Sequence, residues 1–117
     1  MNLEALRQKI LGTTTVEEVC GTTYRLAKIG AADGLSVNAL LLSMPTKGDG
    51  EDKTIENDQD LVRFYSFMLS KCIVDDAANK TLDSDEGREL LGRMEREELF
   101  QLAEKATDWN SPPQKKS

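Results

Sequence analysis

Twelve residues, Asp75 to Glu86, read DDAANKTLDSDE and match the length of an EF-hand calcium loop. Asp75, Asn79, Asp83 and Glu86 fall at ligand positions 1, 5, 9 and 12, and Leu82 takes the apolar eighth place. Two positions break the pattern. Ala77, third, has no side-chain oxygen, and Lys80 stands sixth, where the sharp turn wants glycine, so it brings positive charge toward the cation. A second account needs no metal. Asn79-Lys80 forms a turn after a long helix, and Thr81-Leu82 makes an extended link that tucks Leu82 onto the core. Asp83 or Ser84 then caps the next helix, with Asp85 and Glu86 in its first turn, where the macrodipole favours negative charge. The turn gives every residue type a local role, so the sequence predicts no metal and no cofactor.

Other chemistry has little to work with. The chain has no histidine, which removes the usual general base, the commonest zinc ligand and every Ser-His or Cys-His nucleophile pair. Its glycines form neither GxGxxG nor GxxxxGK[ST]. Cys20 and Cys72 lie far apart and in no CxxC, and read as buried thiols of a reducing cytoplasm. The expectation is a protein that is not an enzyme.

The elements that would carry any site follow from periodicity. In 117 residues there is room for one domain, and 38% apolar with 31% charged residues suits a polar, soluble one. LEALRQKIL opens as a helix with Leu3, Leu6 and Ile10 along one side, stopped at Gly12. TTTVEEVCGTTYRLAKI predicts a short hairpin turning near Cys20-Gly21. Residues 31–44 read as a helix that is apolar on most sides and ends at Pro45; such a helix is either central to the core or shared with another subunit. The stretch at about 45–56 is rich in glycine and charge and predicts a mobile loop.

Residues 57–74 carry the strongest helical signal, capped by Asn57 or Asp58. Leu61, Val62, Phe64, Tyr65, Met68, Leu69, Cys72 and Ile73 fill one half of the wheel; Arg63, Ser66, Ser70 and Lys71 fill the other. Phe67 stands on that outer half, where it is covered by its own chain or contacts a partner. A short helix over roughly 84–91 ends at Gly92. The last, about 95–108, carries a stripe of Leu99, Leu102, Ala103, Ala106 and Trp109. Residues 1–110 are therefore expected to form a single mainly α domain of four to five helices with a short N-terminal β-hairpin, and 111–117 a disordered tail or linker.

Charge narrows the partners. The net charge is −6, with the acidic excess in 48–60 and 75–110. No basic stripe with interleaved aromatics is present, so nucleic acid is not expected. No apolar run reaches the ~18 residues that span a bilayer, so no membrane is expected, and the N-terminus lacks the order of a signal peptide.

TTYRLAKIGAAD leads into a helix, a long apolar helix ends in CIVDDAANKTL, and SDEGRELLGRMEREELFQLAEKATDWN follows. This order of elements resembles the short form of the tail assembly chaperones of long-tailed, non-contractile bacteriophages. Asp75, Asp76, Leu82, Asp83, Asp85 and Glu86 fit the family's acidic turn, and Leu90, Gly92, Leu99, Phe100, Ala103 and Asn110 its closing helices. The resemblance covers about residues 22–44 and 61–110. It departs at LAKI, where the family often has an arginine-glutamate-leucine passage, and in the loop at 45–56.

The resemblance implies a viral protein of the host cytoplasm during infection, absent from the mature virion. It would bind the tape-measure protein and keep it soluble until tail tube subunits polymerise around it. Phe67, Phe100 and Trp109 are the candidate partner contacts, and Leu35, Leu41 and Leu42 the candidate surface for weak self-association. The family also makes a longer form by ribosomal frameshifting, through which the tail tube protein would be reached; Gln114-Lys115-Lys116 can be encoded CAA AAA AAG, a run on which ribosomes slip. Two further classes stay open: a structural virion component such as a head–tail connector or minor tail protein, and a small calcium-binding module.

Overall fold

The structure, a computed structural model, describes residues 1–48 and 54–111. Helix α1 (Leu3–Leu11) is capped by Asn2, whose side chain accepts from the Ala5 N–H. Strands β1 (Thr14–Val19) and β2 (Thr22–Ala27) form an antiparallel hairpin in which Val19 faces Thr22, leaving Cys20 and Gly21 as the two-residue turn. Both turn residues have positive φ, 51° and 82°, as the tightest hairpin turn requires. Glycine adopts that conformation freely; Cys20 does so against its steric preference.

Helix α2 (Ala31–Leu42) follows. The two-residue strands β3 (Thr46–Lys47) and β4 (Thr54–Ile55) then pair, so the ends of the expected loop at 45–56 are tied into a ladder, while 49–53 lie outside the described residues. Helix α3 (Asp58–Ser70) starts at Asn57, whose Oδ1 accepts from the N–H groups of Gln59 and Asp60. Strands β5 (Val74–Asp75) and β6 (Lys80–Thr81) make a third small hairpin. Its turn is built by Asp75, whose side chain accepts from the Ala77 and Ala78 N–H groups, and by Asn79 at φ 53°. Ser84 caps α4 (Asp85–Gly92) through the Gly87 N–H, and α5 (Arg96–Asn110) completes the described chain. Of the expected tail at 111–117, residues 112–117 lie outside the described residues.

The fold is mixed α/β, and the expectation of a mainly α domain is corrected. Among the described residues, five helices are accompanied by six short strands in three two-stranded sheets. The helix expected over 57–74 stops at Ser70 because the residues after it have better partners elsewhere. Ile73 forms an antiparallel bridge with Leu26, the Ala27 N–H donates to the Cys72 carbonyl at 2.8 Å, and the Leu82 N–H donates to the Ile73 carbonyl at 3.0 Å. These bonds lay the third hairpin beside the first. A two-stranded hairpin alone is marginal in water; here it gains a neighbouring segment and a core.

That core lies between the first hairpin and helices α3, α4 and α5. Leu26, Leu69, Leu99 and Leu102 are its largest fully enclosed side chains, and the α5 stripe predicted from periodicity supplies Leu99, Leu102, Ala103 and Ala106. Asn110 locks the end of α5 to the end of β2: its Oδ1 accepts from the Ile29 N–H at 2.7 Å, and its amide donates to the Ala106 carbonyl and toward the Cys72 sulfur. The outer half of α3 is not left to solvent as its polarity suggests. Ser66 and Ser70 are buried, each with its hydroxyl bonded back to a carbonyl of its own helix. Small side chains at those positions let α4 pack close.

Candidate interaction surface

The acidic stretch does not converge on a point. Asp75 is occupied within its own turn, and Asn79 accepts from Arg25 at 3.4 Å. Asp83 sits 2.8 Å from both Lys71 Nζ and Arg88 Nη1, while Glu86 is exposed on α4. Among the described residues no three His, Cys, Asp or Glu side chains cluster in a way that could hold a metal. Hydrogen bonds and ion pairs to Lys71 and then Arg88 lower the Asp83 pKa below its ordinary 3.8. The carboxylate that would have been the ninth-position ligand is instead the junction of α3 and α4.

The two cysteines differ. Cys72 is buried, and burial raises its thiol pKa to about 11. Cys20 is exposed at the hairpin tip, contrary to the expectation of a buried thiol, because the tight turn holds it outside the sheet. Its pKa is raised too, by desolvation and by the carboxylates of Glu98, Glu97 and Glu95 at the start of α5. Of these causes, the carboxylates are the one that salt or mutation can alter. Tyr24 donates its hydroxyl to Glu98; partial burial and that bond push its pKa to about 12.

The candidate contacts occupy three settings. Trp109 is half-buried at the end of α5 under Lys28, whose Nζ lies 4.0 Å from the ring centroid and donates to the Trp109 carbonyl. Phe100 is half-buried, edge-on to Tyr65 at 5.2 Å, with the Arg96 guanidinium 4.8 Å above it. Both pack against the core. Phe67 is half-buried on α3 with Lys71 Nζ 5.1 Å and the Arg88 guanidinium 6.0 Å from its ring, and it opens onto a groove.

That groove, about 830 Å³ in volume, runs between α2, α3 and α4. Leu40 of α2 and Val62 and Phe67 of α3 give it an apolar floor, and Arg63, Arg88 and Arg93 give it cations. Glu89 is its one acidic lining residue. Arg88 is committed to Asp83 and Asp85, at 2.8 and 2.7 Å. Arg63 and Arg93 are exposed and make no ion pair among the described residues. Gly92 keeps the α4 wall low: a Cβ there would meet nothing nearer than the Ser66 hydroxyl at 3.6 Å.

Helix α2 forms the groove's outer lip and is the most apolar helix of the chain, yet it contributes no buried residue. Leu35 is 73% and Leu42 77% exposed, while Leu41 is half-buried. Partial burial of Val37 and an ion pair of Asp33 to Lys71, at 3.6 Å, hold the helix in place. The sequence flagged Phe67 and the α2 leucines singly. It did not show the groove, because its residues come from three helices; Arg63 one turn from Phe67 was the available signal. Comparison with protein-family models, curated proteins and solved structures finds no match for the chain.

Proposed function

We propose that the chain is a tail assembly chaperone, in its short form, of a long-tailed, non-contractile phage. In this reading it binds the tape-measure protein in the host cytoplasm, keeps it soluble until tail tube subunits polymerise around it, and leaves before the virion is complete. The observation that carries the reading is α2, an apolar helix lying outside the core beside an open groove floored by Phe67. A long helical partner exposes repeated apolar stripes, and a groove of this kind covers one. The acidic balance of the chain keeps such a complex dispersed. Leu35, Leu41 and Leu42 on the same helix would join copies along one long partner. Tail tube subunits would be reached through a longer, frameshifted form. The reading gives the chain no reaction to perform.

Co-expression tests it. The chain should keep the tape-measure protein of its own phage in the soluble fraction and co-purify with it. A tape-measure protein that is equally insoluble with and without the chain refutes the reading. The virion-component alternative is separated by mass spectrometry of purified particles, which should lack the chain.

A further inference from the structure

We propose that the groove between α2, α3 and α4 takes an amphipathic helix of another protein, one whose apolar stripe is flanked by acidic residues. The inference deepens the proposed function, naming the kind of segment bound, and rests on that reading only for the partner's source.

Charge is the main argument. The chain is acidic overall, at −6, yet three arginines line this groove against one carboxylate. Arg88 has its partners in Asp83 and Asp85. Arg63 and Arg93 have none among the described residues and are exposed beside the apolar floor of Leu40, Val62 and Phe67. Arginine on an apolar rim stacks its stem on carbon and offers its fork to carboxylates. A helix with apolar anchors at i, i+3/i+4 and i+7 and glutamates or aspartates beside them matches both features.

Among the described residues no helix supplies such a segment; α4 is acidic but exposes a single leucine, Leu90, and no stripe. Helix α1 exposes Leu3 and Leu6 but carries Arg7 and Lys9 against Glu4. Helix α2 has one acid, Asp33. The acidic helix α5 turns its apolar stripe into its own core. Residues 49–53, DGEDK, contain no apolar side chain to fill the floor. A second copy therefore offers either the charge or the stripe, and not both on one available face.

The test uses the full chain and three fluorescein-labelled designed helices of about three heptads, read by fluorescence anisotropy. One has a leucine stripe flanked by glutamate, one has the same stripe flanked by lysine, and one keeps the glutamates with serine in place of leucine. Net charge alone would make the acidic chain prefer the lysine peptide; the groove requires the opposite order. The glutamate–leucine peptide should bind at least ~10-fold more tightly than either other, and added salt should weaken it. Arg63→Glu with Arg93→Glu, both exposed positions, should cost at least ~10-fold and move the preference toward lysine. Unchanged folding of that variant is checked by far-UV circular dichroism, and the salt series on the natural chain needs no variant. Equal binding of the glutamate and lysine peptides, binding of the serine peptide as strong, or no binding of any overturns the proposal. Solubilisation of the tape-measure protein could still succeed in that case, so the two ideas fail separately.

Discussion

Replacing Gly87 by alanine should destabilise the fold, although alanine is the better helix former. Gly87 is buried in the first turn of α4, where its N–H donates to the Ser84 cap at 3.0 Å. A Cβ at this position would sit 2.1 Å from the Leu82 carbonyl oxygen and 3.2 Å from the Leu82 Cβ. That carbonyl cannot swing aside cheaply. It accepts from the Ser84 N–H at 2.8 Å, and the Leu82 N–H is held by Ile73 at 3.0 Å. Moving it disturbs the cap of α4 and the link between hairpins together. Overpacking against such a fixed group costs about 3 kcal/mol, the upper end of the usual range. The helix preference for alanine over glycine returns about 1 kcal/mol. The net loss is about 2 kcal/mol, close to thirtyfold in the folding equilibrium.

Gly34→Ala is the internal control. Nothing lies within 4 Å of a Cβ at Gly34, which sits inside α2, so only the propensity gain of up to ~1 kcal/mol applies. The assay is urea unfolding followed by the fluorescence of Trp109, the one tryptophan of the chain and half-buried when folded. With a slope of roughly 2 kcal/mol per molar urea for a protein of this size, the Gly87→Ala midpoint should fall by about 1 M and the Gly34→Ala midpoint should rise. Midpoints that shift alike in the two variants would show that the close approach of α4 to Leu82 is not a constraint, and the packing argument would fail.

Two further outcomes follow from the ionisable groups. Asp83 titrates below its ordinary 3.8 in the folded chain because Lys71 and Arg88 hold its charged form, so its stabilising contribution is present above that value and lost as pH falls through the depressed one. Asp83→Asn should therefore lower the urea midpoint at neutral pH, with the gap to the natural chain closing in acid; a gap that does not narrow as the pH falls below 3.8 contradicts the assignment. Cys20, although exposed, should react with a disulfide reagent more slowly than free cysteine at about pH 8, since its thiolate is disfavoured. Added salt and Glu98→Gln should each speed it, and a rate indifferent to both would dismiss the carboxylates as the cause.

The features legible before folding are those that neighbouring residues decide among themselves. Asn57 and Ser84 cap their helices because their side chains reach N–H groups two or three residues on. The Cys20-Gly21 turn and the α5 stripe were equally legible, one from turn chemistry and the other from a 3.6-residue period. The end of α3 was not. Cys72 to Val74 continue its apolar pattern, and only contact with Leu26 and Ala27, more than forty residues earlier, draws them into extended pairing. That contact lays the β5–β6 ladder beside the first hairpin. Polarity likewise misplaced Ser66 and Ser70, since small hydroxyls satisfied by their own helix are buried at little cost. The groove is tertiary in the same sense: Leu40, Arg63 and Arg93 become neighbours only when three helices pack. Local patterns set where most elements form, but the pairing of distant segments sets which faces stay open, because burial depends on what the rest of the chain brings to each face.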